Sequence, residues 1–80
     1  MTDIDKELDA TGLSCPLPLL RTKKMLSDLS AGQILKVTAT DPGSMKDFQA
    51  FAKMTGNELL EAWEQEGMFH FLIKKRDGAA

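Results

Sequence analysis

Apolar residues recur at every third or fourth position from Pro16 to Leu29, and that period predicts the first helix of the chain. At about 100° per residue, Pro18, Leu19, Thr22, Met25, Leu26 and Leu29 gather on one side. Arg21, Lys23, Lys24, Ser27 and Asp28 take the other, and Leu17 and Leu20 fall among those charges, where they are expected to be exposed. Ahead of this helix, Leu8 to Thr11 reads as a brief extended stretch closed by Gly12. Behind it, Ala31-Gly32 makes a turn, and Gln33 to Thr40 alternates Leu35, Val37 and Ala39 against Lys36 and Thr38, the two-residue period of a strand. Asp41-Pro42-Gly43 ends that strand, because proline cannot continue a ladder and glycine relaxes the turn.

A second helix is predicted from Ser44 to Thr55, with Met45, Phe48, Phe51 and Ala52 on its buried face. Ser44 and Asp47 have the spacing of a capping box, and Gly56 with Asn57 supplies the stop. The segment Glu58 to Gln65 is ambiguous: propensity favours helix, and Leu59 and Trp63 sit one turn apart. Yet Glu66-Gly67 follows as a tight turn, and Met68 to Lys75 is a strong strand with Phe69, Phe71 and Ile73 on one face. A strand needs a paired neighbour, so Leu59 to Gln65 is read as the other arm of a hairpin. The order is then βαβαββ, an α/β two-layer sandwich in which two helices cover one face of a four-stranded mixed sheet. One domain over residues 1–80 is expected, with an ordered core from about residue 7 to residue 76 and frayed ends.

Charge and length narrow the function. Ten Lys and Arg against twelve Asp and Glu give a formal net charge of -2, which supplies no global attraction for nucleic acid or an anionic membrane. No apolar run approaches the roughly 18 residues of a membrane span, and Met1 to Glu7 lacks the apolar segment of a secretory signal. A cytoplasmic protein is expected. Lys74-Lys75-Arg76 reads as a solubilising tail or strand terminator rather than an RNA grip, since three charges without interleaved exposed aromatics are a weak nucleic-acid signal.

The chain has one cysteine, Cys15, and one histidine, His70, too few for a tetrahedral structural zinc site and incapable of an intramolecular disulfide. Whatever the thiol does covalently, it does with another molecule. Proline favours the first helical position and pushes its predecessor into extended geometry, so Pro16 is expected at that position and Cys15 at the N-cap. With Pro16 and Pro18 lacking N–H groups, the Leu17 amide is expected to face the sulfur and, with the positive end of the helix, to lower the thiol pKa. The bland alternative is a small buried hydrophobe, the commoner use of an isolated cysteine. No general base lies near in sequence, and His70 reads as an outer-face residue of an edge or near-edge strand. Leu17, Leu20, Arg21 and Lys24 form a semi-apolar basic ridge beside the cysteine, either an ordinary solvated face or a docking surface for a partner.

The stretch Asp9-Ala10-Thr11-Gly12-Leu13-Ser14-Cys15-Pro16-Leu17-Pro18 resembles the N-terminal signature of the TusA/SirA-like sulfurtransferases, with its Cys-Pro-x-Pro preceded by glycine three residues earlier. The likeness continues through Lys23, Asp41-Pro42-Gly43, Asp47, Phe51 and Gly56-Asn57-Glu58-Leu59, nearly the whole chain. It implies the βαβαββ fold and so favours strand for the ambiguous segment. It also implies a sulfur carrier acting by transpersulfidation. Cys15 would take a sulfane sulfur from a cysteine desulfurase or other sulfurtransferase, hold it as a covalent persulfide, and pass it to a downstream acceptor protein. By the same resemblance Pro16 and Pro18 would be the scaffold of the persulfide site, with Asp9 and Gly12 shaping the approach loop. Members differ in destination, among them tRNA thiolation, dissimilatory sulfur metabolism, molybdenum cofactor maturation and selenium handling. Leu17 stands where the best-known tRNA-thiolating member has an acidic residue, so the likeness extends to carriage and not to that destination.

No bound metal, flavin or nucleotide is expected, for the chain has no glycine-rich phosphate loop and no acidic metal cluster. Pyridoxal phosphate would belong to the donor. Two other readings use the same residues. One is a redox-responsive regulatory or adaptor module in which Cys15 oxidises. The other is a small RNA-binding domain resting on Arg21, Lys23, Lys24 and Lys74 to Arg76.

Overall fold

The chain folds, in a computed structural model that describes residues 4–76, into the order β1 (Lys6–Ala10), α1 (Leu17–Ser27), β2 (Ile34–Ala39), α2 (Ser44–Thr55), β3 (Glu58–Gln65) and β4 (Met68–Lys74). The expected frayed ends, residues 1–3 and 77–80, lie outside the described residues. The strands form one sheet in the order β1-β2-β4-β3; β1 runs parallel to β2, and the other two pairings are antiparallel. A parallel pair cannot be closed by a tight turn, so α1 is the crossover that the β1–β2 pairing requires.

Register explains the single core. Leu8, Val37 and Phe71 lie side by side across three strands, as do Leu35, Ile73 and Leu59. These rows point at the two helices, and Leu35, Val37, Phe71 and Ile73 are fully buried. From the helix side, Leu26 and Leu29 close over this layer, and Phe48 of α2 stacks on Phe71 with ring centroids 4.3 Å apart. Thr22, also buried, satisfies its hydroxyl by donating to the Pro18 carbonyl at 2.8 Å, so a polar residue sits on the apolar side of α1 without an orphaned group.

Several boundaries differ from the pattern-based reading, each for a local reason. Strand β1 starts two residues early, because Asp5 donates its N–H to the Ile34 carbonyl and accepts the Ile34 N–H on its side chain, zipping charged residues onto β2. Helix α1 begins at Leu17 and closes at Ser27, its last turn tightened by the N–H groups of Asp28 and Leu29 on the Met25 and Leu26 carbonyls. The capping box does not form. Gly43 is the N-cap of α2, the Asp41 carbonyl accepts the Ser44 N–H, and the Ser44 hydroxyl is buried without a partner.

The ambiguous segment is a strand with a bulge. Leu60 is skipped between Leu59 and Glu61, which lets Leu59 and Ala62, three apart, both face the helices and sends Trp63 to the opposite face beside His70. That three-residue spacing is what imitates a helix in the sequence. Glu66 and Gly67 both adopt positive φ, the two-residue turn whose twist matches a hairpin.

The basic tail has a structural use. The Lys75 ammonium donates to the Leu26 carbonyl at 2.8 Å, and the Arg76 guanidinium to the Thr55 carbonyl at 3.1 Å, so the two cations cover the carbonyl ends of α1 and α2.

Phe48 is the side chain on which helix-to-sheet packing turns. Phe48→Ala is expected to cost about 3–5 kcal/mol, a large share of the roughly 5–15 kcal/mol that holds a domain together. Urea denaturation measures this, and a loss under about 1 kcal/mol would contradict the packing described.

Candidate functional site: a thiol at the end of two parallel strands

Because β1 and β2 are parallel neighbours, the loops that leave them lie side by side at the same end of the sheet, the end where α/β proteins place their sites. The first loop carries Cys15 and the second carries Asp41-Pro42-Gly43 into α2. A hydrogen bond joins them: the Gly12 N–H donates to the Thr40 hydroxyl at 2.8 Å. Gly12 has φ +79° and open space around the position of a Cβ, so glycine serves the backbone conformation there rather than a close approach.

Asp9 starts the loop. Its carboxylate accepts the Thr11 hydroxyl at 2.6 Å and the Thr11 N–H at 3.0 Å, and these bonds hold Asp9 below the usual carboxylate range. The Leu13 N–H then returns to the Ala10 carbonyl, and the chain emerges at Ser14 and Cys15. Pro18 is buried and anchors the start of α1, whereas Pro16 and the Cys15 side chain are exposed. The buried-hydrophobe alternative is therefore excluded.

Three expectations about the thiol are corrected. The N-cap is Pro16, reached through a cis Cys15–Pro16 peptide, so Cys15 stands one residue before the cap. The Leu17 amide is already used, donating to the Ser14 carbonyl at 2.9 Å, and is not free to face the sulfur. The thiol pKa is raised rather than lowered: hydrogen bonding to the Asp47 carboxylate favours the protonated form most, followed by desolvation and by the negative charges of Asp47 and Asp41. No cation figures among these influences.

Read along the chain, Asp41 is a turn residue and Asp47 a capping residue, and their effect on the thiol is missed. Asp41 accepts the Gly43 N–H on Oδ2 at 3.2 Å, and Asp47, in the first turn of α2, donates its N–H to the Gly43 carbonyl at 3.0 Å. A Cβ on Gly43 would lie 3.3 Å from Asp41 Oδ2 and 3.6 Å from Asp47 Oδ2. Glycine thus leaves room for the two carboxylates to lie close to one another where the chain enters α2. The signal that could have found them is topological, since parallel pairing of the first two strands brings their following loops together.

His70 stays apart from the thiol. Its ring stacks on Trp63 at 5.1 Å and its Nδ1 lies 3.5 Å from the Thr38 hydroxyl, on the helix-free face of β4, second from the sheet edge. Leu17, Leu20, Arg21 and Lys24, the expected ridge, line one groove of about 450 Å³ with Leu8, Met25 and Asp28. Leu17 and Leu20 are 42% and 56% exposed. Among the described residues no cluster of His, Cys, Asp and Glu could hold a metal ion, and no helix is long and apolar enough to cross a membrane.

The raised thiol pKa has a direct test. The pH profile of Cys15 alkylation by iodoacetamide should have its midpoint above that of the same protein unfolded in denaturant, because the carboxylates act only in the folded state; a midpoint at or below the unfolded one contradicts the geometry.

With the site in view, the likeness to known proteins can be placed on it. The family model described as sulfurtransferase TusA matches residues 6–75. The sulfur carrier protein TusA of Allochromatium vinosum is 68% identical, over 94% of this chain and 99% of its own length. That of Pseudomonas entomophila is 44% identical over 95% of this chain and 98% of its own. The crystal structure of a SirA-like protein from Desulfitobacterium hafniense has a TM-score of 0.79 at 30% identity, covering 90% of this chain and 99% of that one. The match runs from the first strand through the loop that presents the thiol to the end of the last strand, and this chain belongs to the TusA family of sulfurtransferases.

Proposed function

We propose that Cys15 is the sulfur-bearing residue of this carrier and that it works by two transpersulfidations. In the first, Cys15 attacks the outer sulfur of a persulfide on a donor enzyme, a cysteine desulfurase or another sulfurtransferase. In the second, an acceptor thiol attacks the outer sulfur of the Cys15 persulfide and releases the carrier. The observation that carries this reading is the exposure of the chain's one thiol on a loop tied down at both ends, by Asp9 to Thr11 on one side and by buried Pro18 on the other. A rigid, open presentation suits a sulfur that two different partners must reach in turn, since exchange rates depend on access as much as on thiolate fraction.

Desulfurase and free cysteine should add one sulfur atom to the reduced protein, seen as intact mass, removable by reductant and absent in Cys15→Ser. A wild-type chain that gains nothing under conditions where related carriers load would sink the reading. The raised thiol pKa weighs against the redox-switch alternative, which needs a thiolate standing ready for oxidants. The RNA reading loses support from the tail, whose Lys75 and Arg76 are spent on helix carbonyls.

The groove along α1 fits the donor's docking surface: it starts at Leu17, two residues from the thiol, and combines exposed leucines with Arg21 and Lys24. Leu20→Asp, at an exposed position with little to lose in the fold, is expected to slow sulfur uptake from a protein donor about tenfold or more while leaving iodoacetamide alkylation of Cys15 unchanged. Equal uptake by the variant would rule the groove out.

A further inference from the structure

We propose that the outer edge of β1 is a strand-addition site, on which the sulfur donor lays an extended segment that leads to the thiol. The proposal rests on the reading of Cys15 as the persulfide site and of the α1 groove as the donor's docking surface, and it names the form and chemistry of what docks there.

Strand β1 ends the sheet on one side, and among the described residues nothing pairs with its outer edge. Such an edge leaves alternate main-chain N–H and C=O groups without partners, a template for one more strand. The opposite edge strand, β3, is spoiled as a template by its bulge at Leu60, whereas the ladder over Lys6–Ala10 runs without a break. The groove adjoins the unbroken edge: Leu8 of β1 forms one wall, and Leu17, Leu20, Arg21, Lys24 and Met25 of α1 form the other. Leu8 also borders a hollow of about 420 Å³ with Glu7, Asp9, Thr11, Thr38 and Met68, toward the helix-free face. The two hollows flank the strand, one for each face of an added segment.

A helix lying in the groove would leave the main-chain groups of β1 unanswered, whereas an extended segment satisfies them and fills the groove at once. Its side chains alternate between faces. Those turned toward α1 meet leucine and methionine, with Arg21 and Lys24 outweighing Asp28, so apolar residues accompanied by an acidic one fit there. Those turned to the helix-free face meet exposed Glu7 and Asp9, where basic residues fit. A second copy paired edge to edge and antiparallel would set Glu7 and Asp9 beside their own counterparts on one face, like charge against like, so the occupant is another protein. The groove reaches Leu17, two residues from Cys15, and so brings one end of the segment to the sulfur.

Hydrogen–deuterium exchange read by mass spectrometry tests this on the full chain carrying Cys15→Ser, alone and with a cysteine desulfurase that loads the wild-type protein. Those amides of Lys6–Ala10 that exchange fast in the free chain should slow about tenfold or more in the complex. Glu7→Lys, an exposed change on the face away from α1, should slow sulfur uptake from the desulfurase about tenfold and leave iodoacetamide alkylation of Cys15 unchanged. Protection confined to α1, with β1 exchanging as in the free chain, would overturn the proposal while leaving the carrier reading intact, and so would uptake unaltered by Glu7→Lys. Slowing of the β1 amides when the chain alone is concentrated would assign the edge to a second copy and overturn it too. A wild-type chain that gains no sulfur in the intact-mass assay would sink the carrier reading and this proposal with it.

Discussion

The pairing of β1 with β2 in parallel is the constraint from which the site follows. Ten main-chain residues, Lys6–Ala10 against Leu35–Ala39, fix the two strands side by side and pointing the same way. Each strand must then hand the chain to a helix at the same end of the sheet. The loop with the thiol and the loop with Asp41 that leads into α2 have no reason in sequence to meet, yet the Gly12 to Thr40 bond, between residues separated by 28, shows them stitched together. The other elements support this arrangement. Helix α1 and Pro18 hold the first loop to the core, Phe48 holds α2 to β4, and the cations of Lys75 and Arg76 finish both helices at the far end.

The electrostatics of the thiol run against the usual expectation for a reactive cysteine. A helix N-terminus with free amides would favour the thiolate, but proline removes two of those donors and the Ser14 carbonyl takes the Leu17 N–H. The charges that act on the sulfur are negative. A carrier that must travel between partners with an exposed sulfur gains from this, because the protonated thiol is the form least open to oxidation and stray exchange. The cost is a smaller thiolate fraction at neutral pH and so a slower attack.

Much of the fold was legible because its periods are clean. The alternation of Leu35, Val37 and Ala39, the helical stripe through Phe48 and Ala52, and the stop at Gly56 correspond to elements found within a residue or so of expectation. The hairpin was harder, since a bulge at Leu60 turns strand spacing into something that resembles a helix over Leu59 to Trp63. Strand β1 was only half visible, because an edge strand of Lys6 and Glu7 is held by backbone bonds that leave no apolar signature. In the site, the cysteine, its prolines, Gly12 and the exposed ridge of α1 could all be picked out along the chain. The ionisation of the thiol could not, because it depends on residues that only tertiary pairing brings near. Asp47 looked like a capping residue; the Asp41 carbonyl does the capping of the first α2 amide, and the Asp47 carboxylate instead helps to raise the thiol pKa.

The central claim, that parallel pairing of β1 and β2 brings the exposed thiol of Cys15 under the influence of the carboxylates that follow β2, is tested most directly by carbon NMR of the Cys15 Cβ followed through the ionisation of the thiol. The account predicts a midpoint above that of the thiol in the unfolded chain. A thiol midpoint at or below the unfolded one would contradict it.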